Sequence, residues 1–140
     1  MTESASTLAS NGPVESKFSS TLLQHVGRVL LGLYFFLPGL MKVFDLGGTE
    51  TYMATHGVPL VVPALWITIV LQVGGGLLLM IGYRAQIIAF VLACLALLIN
   101  VFMHDFWNAY EGLTVAHETQ NFIKNLAIIA GLLYVAGTHK

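Results

Sequence analysis

Seven polar side chains stand inside or at the ends of otherwise apolar stretches of the sequence. They are Lys42, Gln72, Asn100, His104, Asn121, Lys124 and Asn125. Ammonium, amide and imidazole groups in such surroundings either bind a polar ligand or hydrogen-bond neighbouring helices together. Placing a lysine within a membrane span costs about 2.5–3.5 kcal/mol on insertion scales. Two such lysines therefore indicate either polar groups that pair with them or a functional role.

The segments that carry these residues are typical of a membrane protein. Of 140 residues, 56% are hydrophobic and only 9% are charged, whereas a soluble domain has about 25% charged residues. Four apolar stretches approach or exceed the roughly 20 residues that a helix needs to cross a bilayer. They cover residues 22–44, 61–81, 87–104 and 119–136. Because backbone groups in lipid must be hydrogen-bonded within the protein, the sequence predicts an all-α, integral membrane four-helix bundle over residues 21–140.

Positive charge predicts how this bundle is oriented in the lipid bilayer. Lys17, Arg84 and Lys140 fall before the first span, between the second and third, and after the fourth, and the other two connections have no lysine or arginine. The positive-inside rule therefore predicts that both termini are cytoplasmic. Residues 1–20 are rich in serine and threonine and have no apolar period, which predicts a disordered cytoplasmic tail. A net charge of −1 gives no electrostatic basis for binding nucleic acid.

Helical spacing brings most of the polar residues to one end of the bundle. Gly32, Gly39 and Lys42 share one face of the first span, where the glycines allow a neighbouring helix to approach closely. Gly47-Gly48 predicts a break in the chain after that span. Six of the seven side chains then fall in the outer half, with Gln72 beneath them. We predict a polar pocket that opens to the outer face; the alternative is a packing seam of hydrogen-bonded helices, with the lysines extending to lipid headgroups.

Motifs for catalysis or for a resident cofactor are not apparent. The sequence has no GxGxxG turn, no P-loop and no nucleophile motif, and the single Cys94 cannot form an internal disulfide. Three histidines on the outer side, His56, His104 and His117, could bind a metal ion together with Asp105 or Glu118. Their spacing is irregular and they lie on the connections between spans, so the sequence does not predict a metal site. With no intrinsic cofactor, any electron transfer would depend on a bound quinone, a flavin or a partner subunit. Whether the chain is an enzyme stays open.

Three patterns in order along the chain resemble the DoxX family of small four-helix membrane proteins. They are Arg28–Gly32 with Phe36 and Gly39–Lys42, the glycine-rich Val73–Arg84, and Gln120–Ala127. The likeness covers residues 22–137. One departure is Gln72, where related sequences commonly carry glutamate, so a buried carboxylate at this position is missing.

The resemblance implies a multi-pass protein of the bacterial inner membrane. Some members of that family are the membrane subunit of a thiosulfate:quinone oxidoreductase, so we expect a subunit that binds a quinone-like ligand or docks an oxidoreductase. A homo-oligomer is compatible with either role. The alternative is a non-enzymatic scaffold or assembly factor whose glycine-rich seams recruit other membrane proteins. A small transporter ranks last, because no internal repeats or interrupted helix pair are visible.

Overall fold

The computed structural model of the chain describes residues 13–138, with side chains from residue 20, and all regular structure in that part is helical. The helices are α1 (Pro13–Phe44), α2 (Leu46–Thr55), α3 (Val61–Val70), α4 (Gly76–Ile81), α5 (Ala85–Met103) and α6 (Val115–Gly137). A π-helical turn, Leu71–Gly75, joins α3 to α4, so that Val61–Ile81 forms one continuous rod. The prediction of an all-α membrane bundle is confirmed. Residues 1–12 of the predicted disordered tail lie outside the described residues. Residues 13–20 of that tail are helical and form the start of α1, which begins at Pro13.

Three of the described helical segments are long and apolar enough to cross a membrane. They are Ser20–Phe44, the Val61–Ile81 rod and Ala85–Met103, with mean hydropathies of 1.5, 2.1 and 2.5. The fourth long helix, α6, has 23 residues and packs along α5. At a rise of 1.5 Å per residue it is about 34 Å long, enough for a hydrocarbon core of about 30 Å. Its first turns are polar, which lowers its hydropathy. The cytoplasmic location of both termini stays a prediction.

Helices α1, α5 and α6 and the Val61–Ile81 rod each contribute a large, fully buried side chain to the apolar cluster at the centre of the bundle. Phe35 comes from α1, Leu79 from the rod, Leu92 from α5 and Leu132 from α6, and each is at most 1% exposed. Lipid tails are as apolar as these side chains, so close packing rather than escape from water must hold the helices together.

Helix α1 and the rod pack so closely that backbone atoms of the two nearly touch. A Cβ atom placed on Gly76 would lie 2.7 Å from the backbone oxygen of Gly32 and 2.8 Å from the nitrogen of Phe36. A Cβ atom on Gly39 would lie 2.7 Å from that of Gln72. The predicted glycine face of the first span is therefore confirmed, and it makes contact with backbone atoms of the same chain.

The prediction that Gly47-Gly48 breaks the chain is wrong. Only Asp45 interrupts the helical path, and α2 starts at the next residue with both glycines in its first turn. The Asp45 carboxylate caps this helix, because its Oδ1 accepts a hydrogen bond from the Gly48 N–H at 3.0 Å. Further along α2, Met53 is buried against Leu65 and Ile69 of the rod. The cap and this packing offset the low helix propensity of the two glycines.

A pair of alanine substitutions tests whether the contact between α1 and the rod supports the fold. Gly76→Ala should lower the free energy of unfolding in mild detergent by about 1–3 kcal/mol, because its Cβ would meet backbone atoms that cannot rotate away. Gly74→Ala is the matched control, since nothing lies within 4 Å of a Cβ atom there. Alanine at that site should be neutral or slightly stabilising. Equal effects of the two substitutions, measured by circular dichroism during unfolding, would contradict this account of the packing.

Candidate functional site

A cavity of about 540 Å³ lies between α1, α2, the rod, α5 and α6. Most of its wall comes from α1, α2 and α5, the rod contributes two residues, and α6 contributes one. The polar or aromatic side chains in its wall include Tyr34, Lys42, Asp45, Tyr52, Thr68, Gln72, His104 and Asn125. Four of the seven predicted site residues therefore meet at one cavity: Lys42, Gln72, His104 and Asn125.

Lys42 supplies a half-buried ammonium group in the last turn of α1. Its Nζ donates only a long hydrogen bond, 3.4 Å, to the backbone oxygen of Pro38. Among the described carboxylates none forms an ion pair with it, and the nearby Asp45 uses its Oδ1 to cap α2. An ammonium group has three donors, so Lys42 retains hydrogen-bonding capacity for a ligand in the cavity.

Gln72 supplies an unpaired acceptor inside the π-helical turn. Its side chain is only 5% exposed, and its Oε1 atom has no hydrogen-bond partner. A buried acceptor without a donor costs about 1–3 kcal/mol, so a donor on a bound ligand would remove this cost. Single π-helical turns inside α-helices are frequent at functional sites.

Tyr34 and Asn125 link α1 to α6 across the cavity, since the Tyr34 hydroxyl donates a hydrogen bond to Asn125 Oδ1. Tyr34 was not among the predicted site residues, because an aromatic residue in a span usually packs in the core or faces lipid. The spacing of residues along α1 could have indicated it. Tyr34, Pro38 and Lys42 are spaced four residues apart, which places all three along one face of a helix.

The other three predicted site residues lie away from the cavity wall. Asn100 is fully buried, and its Nδ2 donates to the backbone oxygen of Phe122 at 3.1 Å, so it fastens α5 to α6. Asn121 and Lys124 bond to each other near the start of α6, with Lys124 Nζ 3.0 Å from Asn121 Oδ1. Lys124 is exposed, so the two lysines do not share one pocket.

A network that we call the polar clasp adjoins the cavity, because two of its members line the wall. It consists of Tyr52, His56, His104, Asp105, Tyr110 and Glu118. In its first part, His104 at the end of α5 bonds through Nδ1 to Glu118 Oε2 of α6 at 2.8 Å. Tyr52 of α2 donates to the backbone oxygen of Met103 at 3.3 Å. Burial and the neighbouring Glu118 carboxylate raise the pKa of Tyr52 to about 12, so its phenol stays protonated.

The second part of the polar clasp is centred on Asp105. Its Oδ2 accepts hydrogen bonds from Tyr110 at 2.5 Å and from Asn108 at 2.7 Å, and its Oδ1 lies 3.8 Å from His56 Nε2. The His56 ring lies between the rings of Tyr52 and Tyr110, 4.3 and 4.4 Å from their centroids. Burial opposes ionisation of Asp105, but the two hydrogen bonds and the nearby His56 together keep the pKa of its carboxyl below the ordinary value of 3.8.

Histidine and carboxylate side chains of the clasp meet in pairs. His56 faces Asp105 and His104 faces Glu118, and no group of three potential metal ligands occurs in the described part of the chain. Sequence reasoning placed these residues on the same side of the membrane but did not pair them. The pairing depends on the path of the connection between α5 and α6, which has no regular period.

Comparisons with known proteins relate the chain to bacterial membrane proteins. The sequence model of the DoxX family matches residues 23–105, which include Lys42, Gln72 and His104. The chain is 33% identical to inner membrane protein YqjF of Escherichia coli over 114 residues, 81% of each chain. It is 29% identical to inner membrane protein YphA of the same organism over 113 residues, 81% of this chain and 80% of that one. No solved structure gives a significant match.

Neutralising Asp105 should weaken the polar clasp in a manner that depends on pH. The folded-state pKa of Asp105 is lower than its unfolded value, so its charge stabilises the fold above about pH 4, and this contribution is lost as the pH falls through the folded pKa. We expect Asp105→Asn to reduce the free energy of unfolding by about 1–2 kcal/mol near pH 7. The difference from the unmodified chain should disappear in strongly acidic buffer. Thermal unfolding in detergent across that pH range measures both values.

The control is Glu111→Gln, which removes an exposed carboxylate from the same connection. It should leave the free energy of unfolding unchanged at every pH. A destabilisation by Asp105→Asn that persists undiminished in acid would show that the loss is steric and not electrostatic.

Proposed function

The chain belongs to the DoxX family and is a multi-pass inner-membrane protein, and from that premise we propose that it binds the polar head of a quinone-like ligand. The site is the cavity between α1, the rod, α5 and α6. In this proposal the chain is a membrane subunit, and electrons pass between the bound ligand and a partner oxidoreductase.

The observation that carries the proposal is that one cavity is lined by a donor with spare capacity, Lys42, and by a residue with a buried, unpaired acceptor, Gln72. Lys42 offers ammonium protons from α1, and Gln72 offers the unpaired Oε1 from the rod. A carbonyl oxygen of a quinone ring would accept from Lys42. A hydroxyl of the reduced ring would donate to Gln72, and Phe35 provides an aromatic wall. A volume of about 540 Å³ lies within the range of small-molecule sites.

The polar clasp supports this function because it places a titratable pair beside the cavity. His104 lines the cavity and bonds to Glu118, which is only 5% exposed. Reduction of a quinone takes up two electrons and two protons. A histidine that is hydrogen-bonded to a carboxylate and lines the cavity can pass protons to and from such a ligand. Gln72 itself cannot carry a proton, so this pair takes the role that a carboxylate at position 72 would have.

The alternative function, a scaffold that recruits other membrane proteins through glycine-rich seams, has less support. Gly32, Gly39 and Gly76 already contact backbone or side chains of the same chain, so these three glycines offer no free surface to a partner helix. A bulky residue at Gly76 would disturb the fold before it could disturb recruitment. Substitutions of the cavity lysine are therefore better suited to separate the two functions.

Removing the Lys42 ammonium group should weaken ligand binding without damaging the fold. A hydrogen bond to a charged group contributes about 1.5–3 kcal/mol, so Lys42→Met should raise the Kd for a decyl-chain ubiquinone analogue about 10- to 100-fold. The substitution exchanges a half-buried charge for an apolar side chain of similar length, so the melting temperature should be unchanged or higher. Titration in lipid nanodiscs, followed by tryptophan fluorescence, measures the affinity.

The matched control is Lys124→Met, which removes an exposed lysine that bonds to Asn121 outside the cavity. Its Kd should equal that of the unmodified chain. Equal Kd values for Lys42→Met, Lys124→Met and the unmodified chain would refute the proposed site.

A further inference from the structure

A second hollow lies directly beside the candidate site. It is a groove of about 470 Å³ between the rod and α5, and its wall is almost entirely apolar. Ile67, Leu71, Phe90, Leu98 and Phe102 are among the residues that form it. Ile67 is 59% and Leu98 58% exposed, and both belong to helices that can cross a membrane, so the groove opens toward lipid.

The polar cavity and the apolar groove share part of their walls. Met53, Thr68, Ile99 and Met103 line both hollows, so side chains alone separate them at this point. The Thr68 hydroxyl is already satisfied, since it donates to the backbone oxygen of Ala64 at 2.8 Å. Two of the four residues are methionines, whose unbranched side chains adapt easily to a neighbouring group. The polar chamber is therefore divided from the groove at this point by an apolar wall of adaptable side chains and one satisfied hydroxyl.

We propose that the ligand of this protein is an amphiphile whose apolar chain leaves the cavity between Met53, Thr68, Ile99 and Met103 and lies in the groove. The inference rests on the proposed function, because Lys42 and Gln72 must hold the polar head. It adds that the ligand is a membrane lipid of the prenyl- or alkyl-chain type, and not a small water-soluble molecule.

The arrangement of polar groups favours this route over one through the polar clasp. A chain that left through the polar clasp would have to pass His56, His104 and the buried carboxylates of Asp105 and Glu118. On the groove side the ligand chain meets only apolar atoms and the Thr68 hydroxyl, which is already hydrogen-bonded. This route also allows a head group to enter from the bilayer while its chain stays in an apolar environment throughout.

The test must locate the chain and not measure affinity alone. Lipid tails are as apolar as the groove, so moving an alkyl chain from lipid into the groove changes the free energy little. The protein carries its own reporter for location, since Cys94 is its only cysteine, is exposed, and lines the groove.

The experiment measures alkylation of Cys94 by a lipophilic maleimide in nanodiscs. Decyl-ubiquinone at ten times its Kd should slow the reaction about tenfold, because roughly nine tenths of the sites would be occupied. A ubiquinone head group without the chain, at the same occupancy, should leave the rate unchanged. The control variant is Cys94→Ala/Leu97→Cys, which moves the thiol to a lipid-facing position outside both hollows. Neither compound should protect it.

Each outcome decides between the inference and the proposed function. Binding of both compounds with protection by neither would overturn the chain assignment and leave the proposed head-group site intact. Protection by the chainless compound, or protection of the relocated thiol, would also overturn the chain assignment, since the effect would not come from a chain in the groove. Binding of neither compound would overturn the proposed function and the inference together.

Discussion

The backbone contact between α1 and the Val61–Ile81 rod is the constraint on which the rest of the structure depends. With glycine at positions 32, 39 and 76, the two helices approach until backbone atoms meet. That approach sets Gly39 against Gln72 and places Lys42, one turn further along α1, beside the same cavity. Larger residues would separate the helices, and the donor and the acceptor would no longer face one volume.

Within this frame, most buried polar groups are used to fasten helices together. Asn100 holds α5 to α6, Tyr34 holds α1 to Asn125 of α6, and the polar clasp ties α2 to the end of α5. Lys42 and Gln72 differ from Asn100 in lining one cavity: Lys42 makes only a long hydrogen bond, and Gln72 Oε1 has no partner. Asn100 Oδ1 is unpaired as well, but Asn100 lies outside the cavity wall. Polar atoms in a membrane protein are costly when they are unpaired, and under the proposed function a ligand in the cavity would pair those of Lys42 and Gln72.

The sequence predicted the long helices well because apolar length and glycine spacing can be read locally. In a bilayer, an apolar segment that is long enough to span must be helical. It also predicted Lys42 and Gln72 as site residues, and both line the cavity. It did not separate them from Asn100, Asn121 and Lys124, because the direction of each side chain depends on how helices rotate against one another. Helix α2 was missed, since the Asp45 cap and the packing of Met53 outweigh two glycines. The pairing of His104 with Glu118 needs the fold of an irregular connection, for which periodicity gives no information.

The most direct test of this account is a crystal structure of the protein grown from a lipid mesophase that contains a long-chain quinone. The account predicts density for a ring within hydrogen-bonding distance of Lys42 Nζ and Gln72 Oε1, continuous with a chain that passes Ile99 and Thr68 into the groove. A cavity filled only by ordered water, with Lys42 turned toward the membrane surface, would contradict it.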